Sequence, residues 1–249
     1  MHGEHDGLLI ENNTVREDVG AAGQGCWGIA VDSGYATAES FRHLTVRGNT
    51  VVNVGNIGIG VNACEDCVLE NNVIVSDQTF GSVAISVPDR DRGADDLAMT
   101  RVTVRNNSVY TSASGSTGIR VEGEGSGHVV VSNAIHHAGS GAATCFGLGL
   151  AGGAYTDVDN NLCFGPNASS LEWELGSGDL AAWRAATSFD ASSVSADPTF
   201  TSPSGPDYDL RPASASSPCV DAGHPTRSAS TDISGAARDA DPDIGAYEL

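Results

Sequence analysis

The sequence predicts an all-β fold, a parallel β-helix closed by a C-terminal cap, and three observations carry that expectation. A short segment built around asparagine recurs six times. A second segment, alternating apolar and small or polar residues, is interleaved with it. The composition has 31 glycines and only 6% aromatic residues, as expected of short β-branched strands joined by tight corners.

The first motif reads LLIENNTV (8–15), LTVRGNTV (44–51), CVLENNVI (67–74), VTVRNNSV (102–109), HVVVSNAI (128–135) and TDVDNNLC (156–163). Aligned on Asn13, Asn49, Asn72, Asn107, Asn133 and Asn161, it places Ile10, Val46, Leu69, Val104, Val130 and Val158 three residues earlier. Val15, Val51, Ile74, Val109, Ile135 and Cys163 stand two residues later. Each unit thus offers the same apolar positions to one interior. The asparagines read as structural, because a short amide tolerates a left-handed corner and stacked amides bond from one circuit to the next.

The second motif reads GIAV (28–31), GIGV (58–61), AISV (84–87), GIRV (118–121) and GLGL (147–150). Its second and fourth residues are apolar throughout, the period of a strand with one buried face. Repeats of this length, made of short strands and corners, stack as a solenoid in which each circuit covers the next.

This pattern resembles the right-handed parallel β-helix proteins of the pectin-lyase-like superfamily over roughly residues 6–165. The tail extends the resemblance: WRAATSFDASSVSADPTF (183–200), DYDLRPASASSPCVDAG (207–223) and DIGAYE (243–248) look like the ending of many bacterial β-helix proteins. The resemblance implies a right-handed solenoid and a carbohydrate-related role. That superfamily holds lyases, hydrolases, epimerases and esterases beside adhesins, so the fold alone selects no activity.

Residues 1–165 are expected to form the coils and 166–249 a cap on the last coils. In the cap, Leu180, Trp183 and Ala186 recur at helical spacing after Asp179, a suitable N-cap, so one short helix is expected there. Asp232, Arg238, Asp243 and Glu248 read as ion pairs and turn bonds that hold the cap. At the other end the repeats begin within ten residues of Met1, so the first strand edges are expected to meet a partner or further coils.

Six cysteines suit an oxidising compartment, and sequence alone leaves 15 pairings open. Cys64 aligns with Phe41 and Met99, and Cys67 with Leu44 and Val102. Their CxxC therefore reads as core, corner or short-range disulfide rather than a zinc or redox site. Cys26 and Cys145, each two residues before a glycine of the second motif, read as equivalent positions.

The net charge is −20, from 32 acidic residues against 12 basic ones, all arginine. That field disfavours nucleic acid and anionic membranes, which need a positive surface. No apolar run is long enough to span a bilayer. No signal peptide is visible in a chain otherwise expected to be secreted or on the cell surface, as a monomer.

Alternation identifies an outward polar face along the second motif, flanked by two insertions, DSGYATAESFR (32–42) and PDRDRGADDLAM (88–99). Loops on a rigid scaffold are where chemistry collects. Asp32, Asp89, Asp91, Arg120 and Glu122 are the candidate catalytic residues, with Tyr35, Asn62, Arg90 and Arg92 as candidate substrate-binding residues. A hydrolase would use two of the carboxylates. A uronate lyase would use Ca²⁺ or arginine to neutralise the substrate, and Arg120, Arg92 or Tyr35 as base. No metal ligand set is specified. The expected partner is a polysaccharide, held by a glycoside hydrolase, a polysaccharide lyase, or a non-catalytic scaffold or binding protein. The tryptophans are Trp27, Trp173 and Trp183, of which Trp27 is expected inward by alternation, and their scarcity favours an enzyme or a plain scaffold over a carbohydrate-binding face.

Overall fold

The chain visits three parallel sheets in turn, and each circuit adds one strand to each sheet. The structure, a computed structural model, describes residues 1–33, 38–88, 96–123, 125–149, 152–166, 171–174 and 178–249. Sheet one contains Leu9–Glu11, Thr45–Arg47, Val68–Glu70, Thr103–Arg105, His128–Val131 and Tyr155–Asp159. Sheet two contains Thr14–Arg16, Thr50–Val52, Val73–Ser76, Ser108–Thr111, Ala134–His137 and Leu162–Phe164. Sheet three contains Trp27–Val31, Ile57–Val61, Val83–Pro88, Thr117–Glu122, Ala143–Gly147 and Leu171–Glu174. A narrow ribbon pairs Ser40–Arg42 with Glu4–Asp6 and Cys64–Glu65. Among the described residues the one α-helix is Leu180–Thr187, so the architecture is all-β and consistent with a parallel β-helix.

The paired asparagine positions divide two tasks between them. The first member takes the left-handed backbone that turns the corner between sheets one and two: Asn12, Gly48, Asn71, Asn106, Ser132 and Asn160 all have φ between 49° and 64°. The second member points inward and forms a ladder. Nδ2 of Asn49 donates to Oδ1 of Asn72 at 3.0 Å, Asn72 to Asn107 at 3.0 Å, Asn107 to Asn133 at 3.0 Å and Asn133 to Asn161 at 3.1 Å. The same Oδ1 atoms accept the backbone N–H of the rung before, so these fully buried corners leave few orphan groups. Just before each pair, on the outside, Glu11 meets Arg47 at 2.8 Å and Glu70 meets Arg105 at 2.7 Å. These alternating charges favour the register that stacks the amides.

Val46, Leu69 and Val104 of sheet one, Val51, Ile74 and Val109 of sheet two, and Ile59, Ile85 and Ile119 of sheet three fill the interior. At the far end Trp173, Leu180 and Trp183 join this core. Asp179 caps the helix by accepting Ala182 N–H at 2.9 Å, as its sequence position predicts. The amide ladder ends on Asp190, which is 1% exposed. Its carboxylate accepts Nε1 of Trp183 at 2.7 Å, Nε1 of Trp173 at 3.4 Å, Nδ2 of Asn161 at 3.2 Å and the Ser193 hydroxyl. Burial pushes this carboxyl up from the usual range against the pull of those donors.

Beyond Phe200 the tail runs back along the outside of sheet two and reaches the first circuits as well as the last. Phe200, Tyr208, Leu210, Cys219, Ile244 and Ala246 cover the outward Val52, Val73, Val75, Tyr110, Ala134 and Leu162. The corner column holds the tail's backbone. Nδ2 of Asn160 donates to Ala222 O at 3.0 Å, Nδ2 of Asn106 to Asp243 O at 3.1 Å and Nδ2 of Asn71 to Thr231 O at 2.7 Å. Ser132 Oγ accepts His224 N–H at 2.8 Å. The expected cap pairs form: Arg238, almost fully buried, meets Glu248 at 2.8 Å, and Asp243 accepts the N–H groups of Asp221 and Leu249.

Disulfides join Cys64 to Cys67 and Cys145 to Cys163, while Cys26 is free and exposed and Cys219 free and buried. The expected equivalence of Cys26 and Cys145 does not hold. Pairing of Phe146 with Ile119 and of Gly147 with Arg120 aligns Cys145 with Gly118, and hence with Gly28. The segment equivalent to GIRV is therefore CFGL (145–148), two residues before GLGL. A period of two fits both registers, and only the strand pairing chooses between them.

Candidate functional site: the outer face of sheet three

The strands of sheet three have a local irregularity that sets what faces outward. Gly28, Gly58, Ala84, Gly118 and Cys145 form an inward column beside the inward Ile29, Ile59, Ile85, Ile119 and Phe146. A Cβ on Gly58 would stand 2.5 Å from Ala84 O and 2.7 Å from Ile74 Cγ2, so close packing explains the small residue. Two adjacent inward residues turn the preceding one out. Trp27 therefore faces outward, correcting the alternation reading, and its ring lies over Gly60, where a Cβ would be 2.6 Å from Cζ3. The neighbouring outward column is Ala30, Gly60, Ser86, Arg120 and Gly147. Replacing Gly60 by Ala is expected to displace the Trp27 ring, read as a change in tryptophan emission with little loss of stability.

Beyond these strands Asn62 is 2% exposed and held from both sides. Its Oδ1 accepts Ser33 Oγ at 2.8 Å, and its Nδ2 donates to Asp32 Oδ1 at 2.8 Å. Arg120 meets Glu122 at 3.2 Å and donates to Ser86 Oγ at 3.0 Å. The site residues fall into two pairs, Asp32 with Asn62 and Arg120 with Glu122. Asp32 and Glu122 end strands that are three steps apart in the sheet, roughly 14 Å at the usual strand spacing. Tyr35, Asp89, Arg90, Asp91 and Arg92 lie outside the described residues.

The two insertions meet over the short circuit between them. Glu39 N–H donates to Asp96 Oδ1 at 3.0 Å, and Leu97 N–H donates to Glu39 O at 3.0 Å. The Glu39 carboxylate is fully buried, with Oε1 on His2 Nδ1 at 2.9 Å and Oε2 without a hydrogen-bond partner. Sequence reasoning located the insertions but did not single out Glu39, Asp96 or Ser33, because only folding shows which loop residues turn inward. Among the described residues no three His, Cys, Asp or Glu side chains are grouped to hold a metal, and no helix is long and apolar enough to cross a membrane.

A cleft of about 340 Å³ lies elsewhere, between the tail turn 231–235 and the corner residues Asn12, Gly48 and Asn71. Its polar groups largely serve one another: Asp232 accepts from Ser234, Ala236 and Glu248, Asn71 bonds Thr231 and Arg238, and Arg47 pairs with Glu11. Neither the protein-family models nor the curated proteins compared with this chain include a match to it.

Proposed function

We propose that this protein is a secreted or surface-exposed right-handed β-helix of the pectin-lyase-like kind that engages a polysaccharide along the outer face of sheet three. The observation that carries the reading is the Trp27 ring lying over Gly60, in the outward column that continues through Ser86 to Arg120. An aromatic face beside polar and charged groups is what a sugar ring needs for stacking and for hydrogen bonds. The two disulfides support an oxidising compartment.

Carboxylate spacing bears on the chemistry. Glycosidase pairs stand about 5–9.5 Å apart, so Asp32 and Glu122, roughly 14 Å apart, do not pair with each other. A hydrolase at this face would draw its second carboxyl from Asp89 or Asp91. A lyase would rely on Arg120, whose guanidinium is engaged by Glu122 and Ser86. The ion pair with Glu122, which occupies this guanidinium, favours a binding or scaffold protein without catalysis.

The test is a panel of neutral and uronate polysaccharides, with Ca²⁺ and with chelator, scored for binding, reducing ends and unsaturated products. Binding is expected to weaken about tenfold in Trp27→Ala, the loss of one aromatic contact of roughly 1.4 kcal/mol. Reducing ends alone would mean hydrolysis, and unsaturated products would mean elimination. A folded protein that binds nothing in the panel would overturn the proposal.

A further inference from the structure

The seam between the tail and sheet two contains a titratable ring that neither the fold's ladder nor the proposed site uses. His136 points outward from Ala134–His137, level with Tyr110 on one side and Phe164 on the other. Its ring meets Tyr110 at 5.5 Å and Phe164 at 5.3 Å between centroids, and Phe200 of the tail closes over it at 6.2 Å. Its Nδ1 is buried without a hydrogen-bond partner. The neutral imidazole fits this aromatic box, whereas an imidazolium would place a charge where no acceptor reaches Nδ1.

We infer that the tail is an acid-released strap: protonation of His136 frees residues 200–249 from sheet two while the coils stay folded. Two groups that can carry charge are set on the ring's side of the strand, Tyr110 from the adjacent strand and Asp197 just before Phe200, while His137, its chain neighbour, points to the other side. Asp197 favours the imidazolium and His137 opposes it, but burial is the largest influence and holds the His136 pKa below its ordinary value. With a folded pKa below the unfolded one, the stabilising contribution is complete above the unfolded value of about 6.5. It is lost as pH falls from there through the folded value.

The coils respond differently because their corners are held by amides, which do not titrate in this range. His137 lies away from the tail's apolar seam, with Nδ1 on Thr111 Oγ1 at 3.0 Å; burial lowers its pKa as well. Acid therefore also loads one coil corner, and the test must separate the two rings. Release would uncover Val52, Val73, Val75, Tyr110, Ala134 and Leu162, an apolar stripe along the solenoid axis that could then take another partner.

Cys219 supplies the reporter. It is a free thiol sealed in the seam, pushed up to about 12 by burial, while Cys26 is the free exposed thiol. In a Cys26→Ser background, dithiodipyridine, which reacts with thiols in acid as well as at neutrality, would be added at about pH 7.5 and about pH 5, within the range where histidine changes charge. Rates would be normalised to a small free thiol, with far-ultraviolet circular dichroism recorded in parallel. The expected result is an increase of about tenfold or more in Cys219 reactivity at the lower pH, with the β signal retained. His136→Phe should keep Cys219 slow at both values, and His136→Gln serves if the phenylalanine variant does not fold. Unchanged Cys219 reactivity at the lower pH, an equal rise in the His136 variants, or loss of the β signal together with the rise would overturn the inference.

Discussion

Replacing Asn107 by Ala is expected to lower stability by about 3–5 kcal/mol, more than any surface substitution in this chain. The side chain is fully buried in the middle of the ladder. Its Nδ2 donates to Leu69 O, Arg105 O and Asn133 Oδ1, and its Oδ1 accepts both the N–H and the Nδ2 of Asn72. Alanine would leave the buried Asn72 N–H without an acceptor and open a gap that no neighbouring side chain fills. At this chain length each kcal/mol corresponds to about 2–4 °C, so melting should fall by roughly 10 °C. The comparison that isolates the ladder is Asn13→Ala, at its exposed first rung, where water replaces the lost bonds and the expected cost is below about 1 kcal/mol. Equal losses at the two positions in thermal melts would mean that the amides contribute through the corner backbone and not through stacking.

Asp190→Asn should cost about 2–4 kcal/mol despite removing a buried charge. Both oxygens of Asp190 accept: Oδ1 takes Asn161 Nδ2 and the Ser193 hydroxyl, and Oδ2 takes the two indole N–H groups. An amide brings an N–H₂ to one of these positions, so donor meets donor in either orientation. Where a buried ion pair is the only stabilising element, neutralisation can be harmless. Here four donors converge on one carboxylate, so the hydrogen-bond loss outweighs the relief of desolvation. Because the ladder, helix and Trp173 all terminate on this residue, the far end should loosen first, with faster amide exchange in 178–194 than in the middle circuits. A variant as stable as the parent would show that burial of the charge is the dominant effect.

Asn13 through Asn161 and the apolar residues at −3 and +2 were enough to place one inward apolar residue on each strand of sheets one and two, because the stacked pairing repeats the sequence spacing. The helix start at Asp179 and the outward position of Arg120 were legible for the same reason: each depends on neighbours in the chain or on a repeat of known period. The alternation that placed Arg120 misled at Trp27, since two consecutive inward residues, Gly28 and Ile29, break the period of two. It misled at GLGL as well, where a shift by two preserves the pattern.

What the sequence determined by itself is the stacking of circuits around paired asparagines, the corner chemistry, and the insertions that flank Asn62. What only tertiary structure decided is long-range: the Asp190 terminus of the ladder, the disulfide pairs, and the inward turn of Glu39. The course of the tail over sheet two belongs with these. Its DIGAYE segment is read by Asn106 and Ser108, more than 130 positions earlier in the chain. Contacts at that separation arise when two surfaces of complementary shape and hydrogen bonding meet, and local periodicity carries no record of them.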